Sequence, residues 1–229
     1  KDQYAMWSQV EIIKSHLHSG HNQSADAACD TLLSVFSSQP MLPKEVYQLS
    51  REYSELYRYD RTLSLDKYNA EHFPDDMYGM LSKVYYHLRN SEYKAADTLV
   101  NRLLTEFSNQ PALAKEIYQL TGPFVKAGKF DACVHLYKYF LEKEPKDEQA
   151  LFAQKGLAIC YSKLGDERAA ERAGGPDHLS AVGPGFSLQS NEPEPQVEAL
   201  PGRASAAGPG HGGEQAGPVR HRLPGAGAG

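Results

Sequence analysis

The sequence is short of several things, and each shortage removes a class of protein. It has three cysteines, Cys29, Cys133 and Cys160, an odd count spread far apart along the chain. No paired Cys/His spacing accompanies them, so a zinc site finds no support. They read as small buried hydrophobes inside helices, and free thiols favour a reducing compartment. No apolar run approaches the ~18 residues that a membrane span needs. Neither sign of charge is in excess: 24 basic side chains face 29 acidic ones, for a net charge of −5. That balance weighs against a dedicated nucleic-acid binder, which carries a basic surplus. The chain opens on Lys1 instead of Met, as expected of a fragment or a processed product.

Catalytic patterns are missing too. There is no HExxH, no Ser–His–Asp order and no paired-carboxylate context, so no enzyme, metal or cofactor is expected. His16, His18 and His21 form the densest histidine group, but residues two apart point to different helix faces, and a solvated helix end is the better reading. Gly208, Gly210 and Gly213 match a phosphate-loop spacing with no strand before and no helix after. Asn22-Gln23-Ser24 is a glycosylation sequon only in a secreting eukaryote. Most of the 14 tyrosines fall at positions that read as core.

Helical hairpins are abundant instead. In residues 113–127, Ile117, Leu120 and Phe124 fall three and four apart, while Lys115, Glu116 and Lys126 lie off that stripe. Gly128 breaks the run and permits a left-handed exit. Phe130, Cys133, Val134, Tyr137, Phe140 and Leu141 then share a face, and Glu144-Pro145 ends the second helix. An ungapped shift of 71 residues finds an earlier copy: Phe36, Pro40, Leu42, Tyr47, Leu49, Tyr53 and Pro74 return as Phe107, Pro111, Leu113, Tyr118, Leu120, Phe124 and Pro145. A shift near twice one hairpin indicates that two hairpins were duplicated as a unit.

Ile117, Leu120, Thr121, Phe124, Gly128, Phe130, Cys133 and Pro145 follow in order the pattern of the tetratricopeptide repeat, which the segment resembles over roughly 34 residues. The resemblance implies an all-α, right-handed superhelical solenoid. It divides 1–173 into repeats at about 4–40, 43–76, 77–111 and 113–147, with a truncated fifth at 148–173. Expected stripes are Trp7, Val10, Ile13 and Leu17; Ala27, Ala28, Leu32, Leu33 and Phe36; Tyr78, Leu81, Tyr85 and Leu88; and Leu151, Leu157, Ala158, Tyr161 and Leu164. Tyr57 stands where the second repeat should have its turn glycine, and Arg61-Thr62 replace small residues, so that hairpin is expected to be loose. The turn from Arg89 to Glu92 reads as one or two residues too long. Residues 174–229 hold 13 of the 19 glycines and 8 of the 14 prolines, and no Lys, Tyr, Trp or Cys. They are expected to be disordered, either as a natural linker or as a frameshifted, artefactual continuation.

The resemblance implies a protein–protein interaction scaffold whose first helices line a concave groove. Groove residues that the core does not need are Tyr47, Arg51, Lys83, Tyr86, His87, Tyr118, Lys126 and Lys155. Aromatic rings among cations suit a peptide or partner protein bearing acidic groups. The family's chaperone-tail clamp uses asparagines, whereas Ile12, Arg51, Lys83, Gly122 and Ile159 occupy the equivalent places, so a chaperone C-terminus is not expected. Self-association through the uncovered last repeat is a further expectation. The spacing also resembles bacterial assembly proteins of this family, which leaves the compartment open between cytoplasm and periplasm. Two rivals stand beside this reading: the regulatory part of an enzyme whose catalytic domain lies elsewhere, and a helical-repeat RNA binder.

Overall fold

The computed structural model describes residues 2–174, which contain ten helices and no strand. In chain order these are α1 (Gln3–His18), α2 (Asn22–Val35), α3 (Leu42–Glu55), α4 (Tyr59–His72), α5 (Met77–Arg89), α6 (Tyr93–Glu106), α7 (Leu113–Lys126), α8 (Phe130–Lys143), α9 (Ala150–Lys163) and α10 (Glu167–Gly174). They form five hairpins stacked in sequence, a solenoid of helix pairs in which each pair covers its neighbour. The odd-numbered helices α1, α3, α5 and α7 also touch one another in a row. The Gly/Pro-rich tail, with Gly208, Gly210 and Gly213, lies outside the described residues.

One turn closes every hairpin. Its key residue has positive φ: Gly20 (71°), Tyr57 (59°), Ser91 (60°), Gly128 (68°) and Gly165 (80°). The N–H that follows it reaches back five residues to a helical carbonyl, as Lys129 does to Phe124 at 2.9 Å and Arg58 to Tyr53 at 2.9 Å. This Schellman closure satisfies the helix end but asks for a left-handed residue. The turn after Arg89 is no longer than the others. Ser91 takes the glycine's place, and Glu92 donates to His87 at 2.8 Å. Ser91 holds the left-handed position that Gly20, Gly128 and Gly165 hold in other hairpins, and it follows the α5 stripe residue Tyr85 by six residues, where Gly128 follows Phe124 by four.

The expected stripes need correction in three helices. In α1 the buried residues are Met6, Val10, Ile13 and Leu17, while Trp7 is 38% exposed and packs edge-on against Tyr4. In α2 Ala25 and Cys29 make the close approach, and Ala27 faces out. In α9 Ala150, Ala153, Gly156, Leu157, Ala158 and Cys160 are buried, whereas Leu151 (57%) and, at the C-cap, Leu164 (49%) are exposed. One step along a helix turns a side chain by ~100°, so the position of the neighbouring helix, not hydrophobicity alone, selects the face. The second hairpin is not loose: α3 lies as close to α4 as α7 does to α8. Thr62 is fully buried, and Arg61 extends to Asp30 on α2 at 2.6 Å.

The duplicated unit is visible in the packing. The backbones of α4 and α5, and of α8 and α9, lie close together, while α2 and α3, and α6 and α7, stay farther apart. Gly79 permits the first close approach: a Cβ there would lie 1.9 Å from the Phe73 carbonyl oxygen. The apolar core accordingly falls into two clusters. One spans α1–α4, and the other spans α5–α9 with Tyr47 added from α3.

A left-handed conformation costs a non-glycine residue about 1–2 kcal/mol, offset by the ~0.5–1 kcal/mol of extra backbone entropy that glycine loses on folding. Ser91→Gly is therefore expected to stabilise the chain by roughly 0.5–1 kcal/mol in urea unfolding, and Gly128→Ala to destabilise it by about 1 kcal/mol.

Candidate functional site

The row α1, α3, α5, α7 presents a continuous face. Its centre is built on α3. Tyr47 and Arg51 lie one helical turn apart and point toward α5. Tyr47 is only 2% exposed; its hydroxyl donates to Glu116 Oε2 on α7 at 2.7 Å, and its ring lies against Tyr78 and Tyr85. The Arg51 guanidinium lies 3.5 Å from the centre of the Tyr85 ring and donates to both oxygens of Asp66, at 2.7 and 2.9 Å. That carboxylate is wholly buried in α4. Ser50 Oγ donates to it at 2.5 Å and Arg89 Nε at 3.4 Å, while Arg89 also donates to Ser54 Oγ at 3.1 Å. Beside it Asn69 Nδ2 donates to the Pro43 carbonyl and to Ser82 Oγ, both at 2.9 Å.

A seam of buried polar groups thus runs through α3, α4 and α5 between the two apolar clusters. Burial raises the Arg51 requirement for a partner, and Asp66, Tyr85 and Tyr47 together hold its pKa above the ordinary value. Glu116 behaves in the opposite sense. Burial pushes its carboxyl above the ordinary 4.5, with the Tyr47 hydroxyl, Arg51 and Lys44 pulling the other way.

The remaining residues of the expected groove divide by exposure. Lys83, Tyr86 and His87 on α5 are half-buried, and His87 Nδ1 faces Glu92 Oε2. Tyr118 on α7 packs into the core, its ring centre 4.7 Å from that of Phe140. Lys126 and Lys155 are exposed. Asp66, Arg89 and Glu116 were not singled out by the sequence reading. The available signal was a mismatch: Arg51 and Asp66 return 71 residues later as Gly122 and Tyr137.

Cysteines far apart in sequence also meet here. The Cys133 and Cys160 thiols face each other between α8 and α9, both buried, and the contact with Cys160 together with burial holds Cys133 well above its usual range. The His16 and His21 rings lie 6.1 Å apart, edge to face. Among the described residues no three His, Cys, Asp or Glu side chains are grouped to hold a metal ion, and no helix is long and apolar enough to cross a membrane.

No family model and no curated protein matches the chain. Solved structures do. A crystal structure of MamA aligns with a TM-score of 0.53 at 14% identity, over 73% of this chain and 87% of that one. A Podosopora anserina chain of nearly identical TPR-like repeats aligns with a TM-score of 0.54 at 14% identity, over 74% of this chain and 91% of that one. These similarities establish a tetratricopeptide-type helical-repeat fold.

Removing the Asp66 carboxylate takes the counter-charge away from the Arg51 guanidinium at the seam. Asp66→Ala is expected to cost about 3 kcal/mol in urea unfolding. Because the folded pKa of Glu116 is raised, its contribution to stability is present below 4.5 and is lost as pH rises through the folded value. Glu116→Gln keeps an acceptor for Tyr47 and carries no charge. Its stability relative to wild type should therefore rise between about pH 4 and 7, as followed by urea midpoints across that range.

Proposed function

We propose that this protein is an interaction scaffold without catalytic turnover, which holds a peptide or partner protein along its row of odd-numbered helices. The observation that carries this reading is the division of labour along the row. Tyr47 and Arg51 are tied into the seam and form a fixed floor. Lys83, Tyr86 and His87 stand half-buried beside it on α5, with Tyr118 and Lys126 on α7 and Lys155 on α9. Rings set among cations recognise apolar side chains and carboxylates together, so an acidic peptide fits this lining. A floor whose members already bond one another needs little rearrangement to receive a ligand.

The last repeat supports a second contact. Leu151 and Phe152 on α9 are 57% and 63% exposed, and α10 has only eight residues with which to cover its neighbour. Adjacent large apolar side chains in this state suit self-association through the fifth repeat.

Peptides selected from a random display library against the whole chain are expected to be rich in Asp and Glu beside bulky apolar residues, and to bind more weakly as salt rises. Substituting Lys83, Tyr86 and Lys126 together by alanine should weaken the best of them by roughly tenfold or more, about 1.4 kcal/mol. Equal affinity for wild type and the triple variant would reject the groove.

A further inference from the structure

Helices α8 and α9 pack closely and are joined by the short connection 144–149, so they run antiparallel. Their register is set by Tyr137 and Gly156. A Cβ on that glycine would lie 2.5 Å from Tyr137 Cζ, so the α8 ring rests directly on α9. Four residues earlier on α8 stands Cys133, and four residues later on α9 stands Cys160. Residues four apart share a helix face, so the register that sets Tyr137 on Gly156 also sets Cys133 opposite Cys160. The thiols do meet, and they share a hydrogen bond. Large side chains hold packed helices about 8–10 Å apart, too far for a disulfide, which wants Cα atoms roughly 5.5–6 Å apart. The bare Gly156 backbone beside this pair removes one source of that separation.

The two thiols are not equivalent. The Cys133 proton has two acceptors, the Cys160 sulfur and the Thr121 carbonyl oxygen at 3.7 Å. The hydrogen bond from Cys133 holds the Cys160 thiol below its usual range against the effect of burial, whereas Cys133 is held above it. Cys160 is the better thiolate and therefore the attacking sulfur. Cys29 has no such arrangement: it lies in the other apolar cluster, with Arg61 beside it.

We propose that Cys133 and Cys160 are a dithiol modification site, which a low-molecular-weight disulfide closes into a bond stapling α9 to α8. The Cys160 thiolate attacks one sulfur of the oxidant, forming a mixed disulfide and expelling one small thiolate. Cys133 gives up its proton and attacks the Cys160 sulfur, and the second small thiolate leaves. Two protein thiols thus lose two electrons and two protons, and one small disulfide becomes two thiols. Because the two side chains are only 0% and 1% exposed, the oxidant enters when α9 lifts. That opening is local: α9 rests mainly on α8, and α10, with eight residues, packs chiefly on α9. Cys160 lies in the final turn of α9, next to the exposed Leu164. Reduced, the fifth hairpin is held by packing alone; oxidised, it is tied to the fourth.

The test treats the reduced whole chain with oxidised glutathione under native conditions, then blocks remaining thiols with N-ethylmaleimide in denaturant. Intact mass and peptide mapping should show maleimide on Cys29 alone and one linked pair, Cys133 with Cys160, reversed by dithiothreitol. The thermal midpoint of the oxidised chain should exceed that of the reduced chain by roughly 5 °C. Cys29→Ala should leave the pairing unchanged, and Cys160→Ala should abolish it. Persistent glutathione adducts without the internal pair overturn the proposal, as does a pair that includes Cys29. So does a bond that forms only in urea, or one that leaves the midpoint level or lower. The wild-type and Cys29→Ala maps decide the matter even where Cys160→Ala fails to fold.

Discussion

Asp66 has no access to water, and the assembly of the described residues turns on what surrounds it. A carboxylate removed from solvent is tolerable only when hydrogen bonds and opposite charge replace the water it has lost. Ser50, Arg51 and Arg89 supply them from α3 and α5. The condition is geometric and joint. A greasy contact weakens gradually as helices slide, whereas this one is satisfied only when three helices are in register. The seam lies where the apolar core divides, so the α1–α4 cluster and the α5–α9 cluster are joined through a contact that has direction.

In a stack of hairpins, stability is close to a sum of each unit's own stability and its contacts with its neighbours. Here the contacts alternate. The loops that follow α2 and α6 carry the same hydrogen bonds 71 residues apart: Gln39 to Phe36 at 2.9 Å and Leu42 to Gln39 at 3.0 Å, then Gln110 to Phe107 at 2.8 Å and Leu113 to Gln110 at 3.1 Å. These loops hold their helices apart. The contacts after α4 and α8 bring backbones together and need small residues, Gly79 in one and Gly156 in the other. The close contacts are therefore the selective ones, because a close contact is sensitive to single side chains in a way that an open one is not.

The repeat was legible because its signals are local. Gly128 marks a left-handed turn, Pro145 marks a helix end, and a shift of 71 residues displays the copy. Even the exception at Tyr57 could be read, since the turn demands its φ whatever residue is present. The choice of buried face was less legible. Met6 and Trp7 both suit an apolar stripe, and only the placement of α2 and α3 decides for Met6. The seam could not be read from composition. Asp66 and Asn69 look like the outer surface of a helix, yet both are fully buried, together with Ser50 and Thr62 at positions where the repeat takes small residues. Their signal lay in the places where the internal copies disagree, which a search for agreement passes over. Cys133 and Cys160 escaped for a related reason, because contact across a junction depends on register between hairpins and not on distance along the chain.

The seam also constrains the proposed groove. Arg51 and Tyr47 occupy its centre, and a reading by position alone would make them the first contacts for a ligand. Arg51 Nη2 already donates to Asp66, and the Tyr47 hydroxyl to Glu116. Diverting Arg51 to an incoming carboxylate would leave Asp66 with Ser50 and a long contact to Arg89, and the loss would be felt as a loosened junction between repeats two and three. Ligand recognition at this centre and cohesion of the stack therefore compete for one guanidinium. Lys83 and Lys155 donate none of the hydrogen bonds that hold Asp66, so contact through them leaves the seam intact. A groove that keeps its structural cation beneath and its recruiting cations along the rim can exchange ligands without loosening its own repeats.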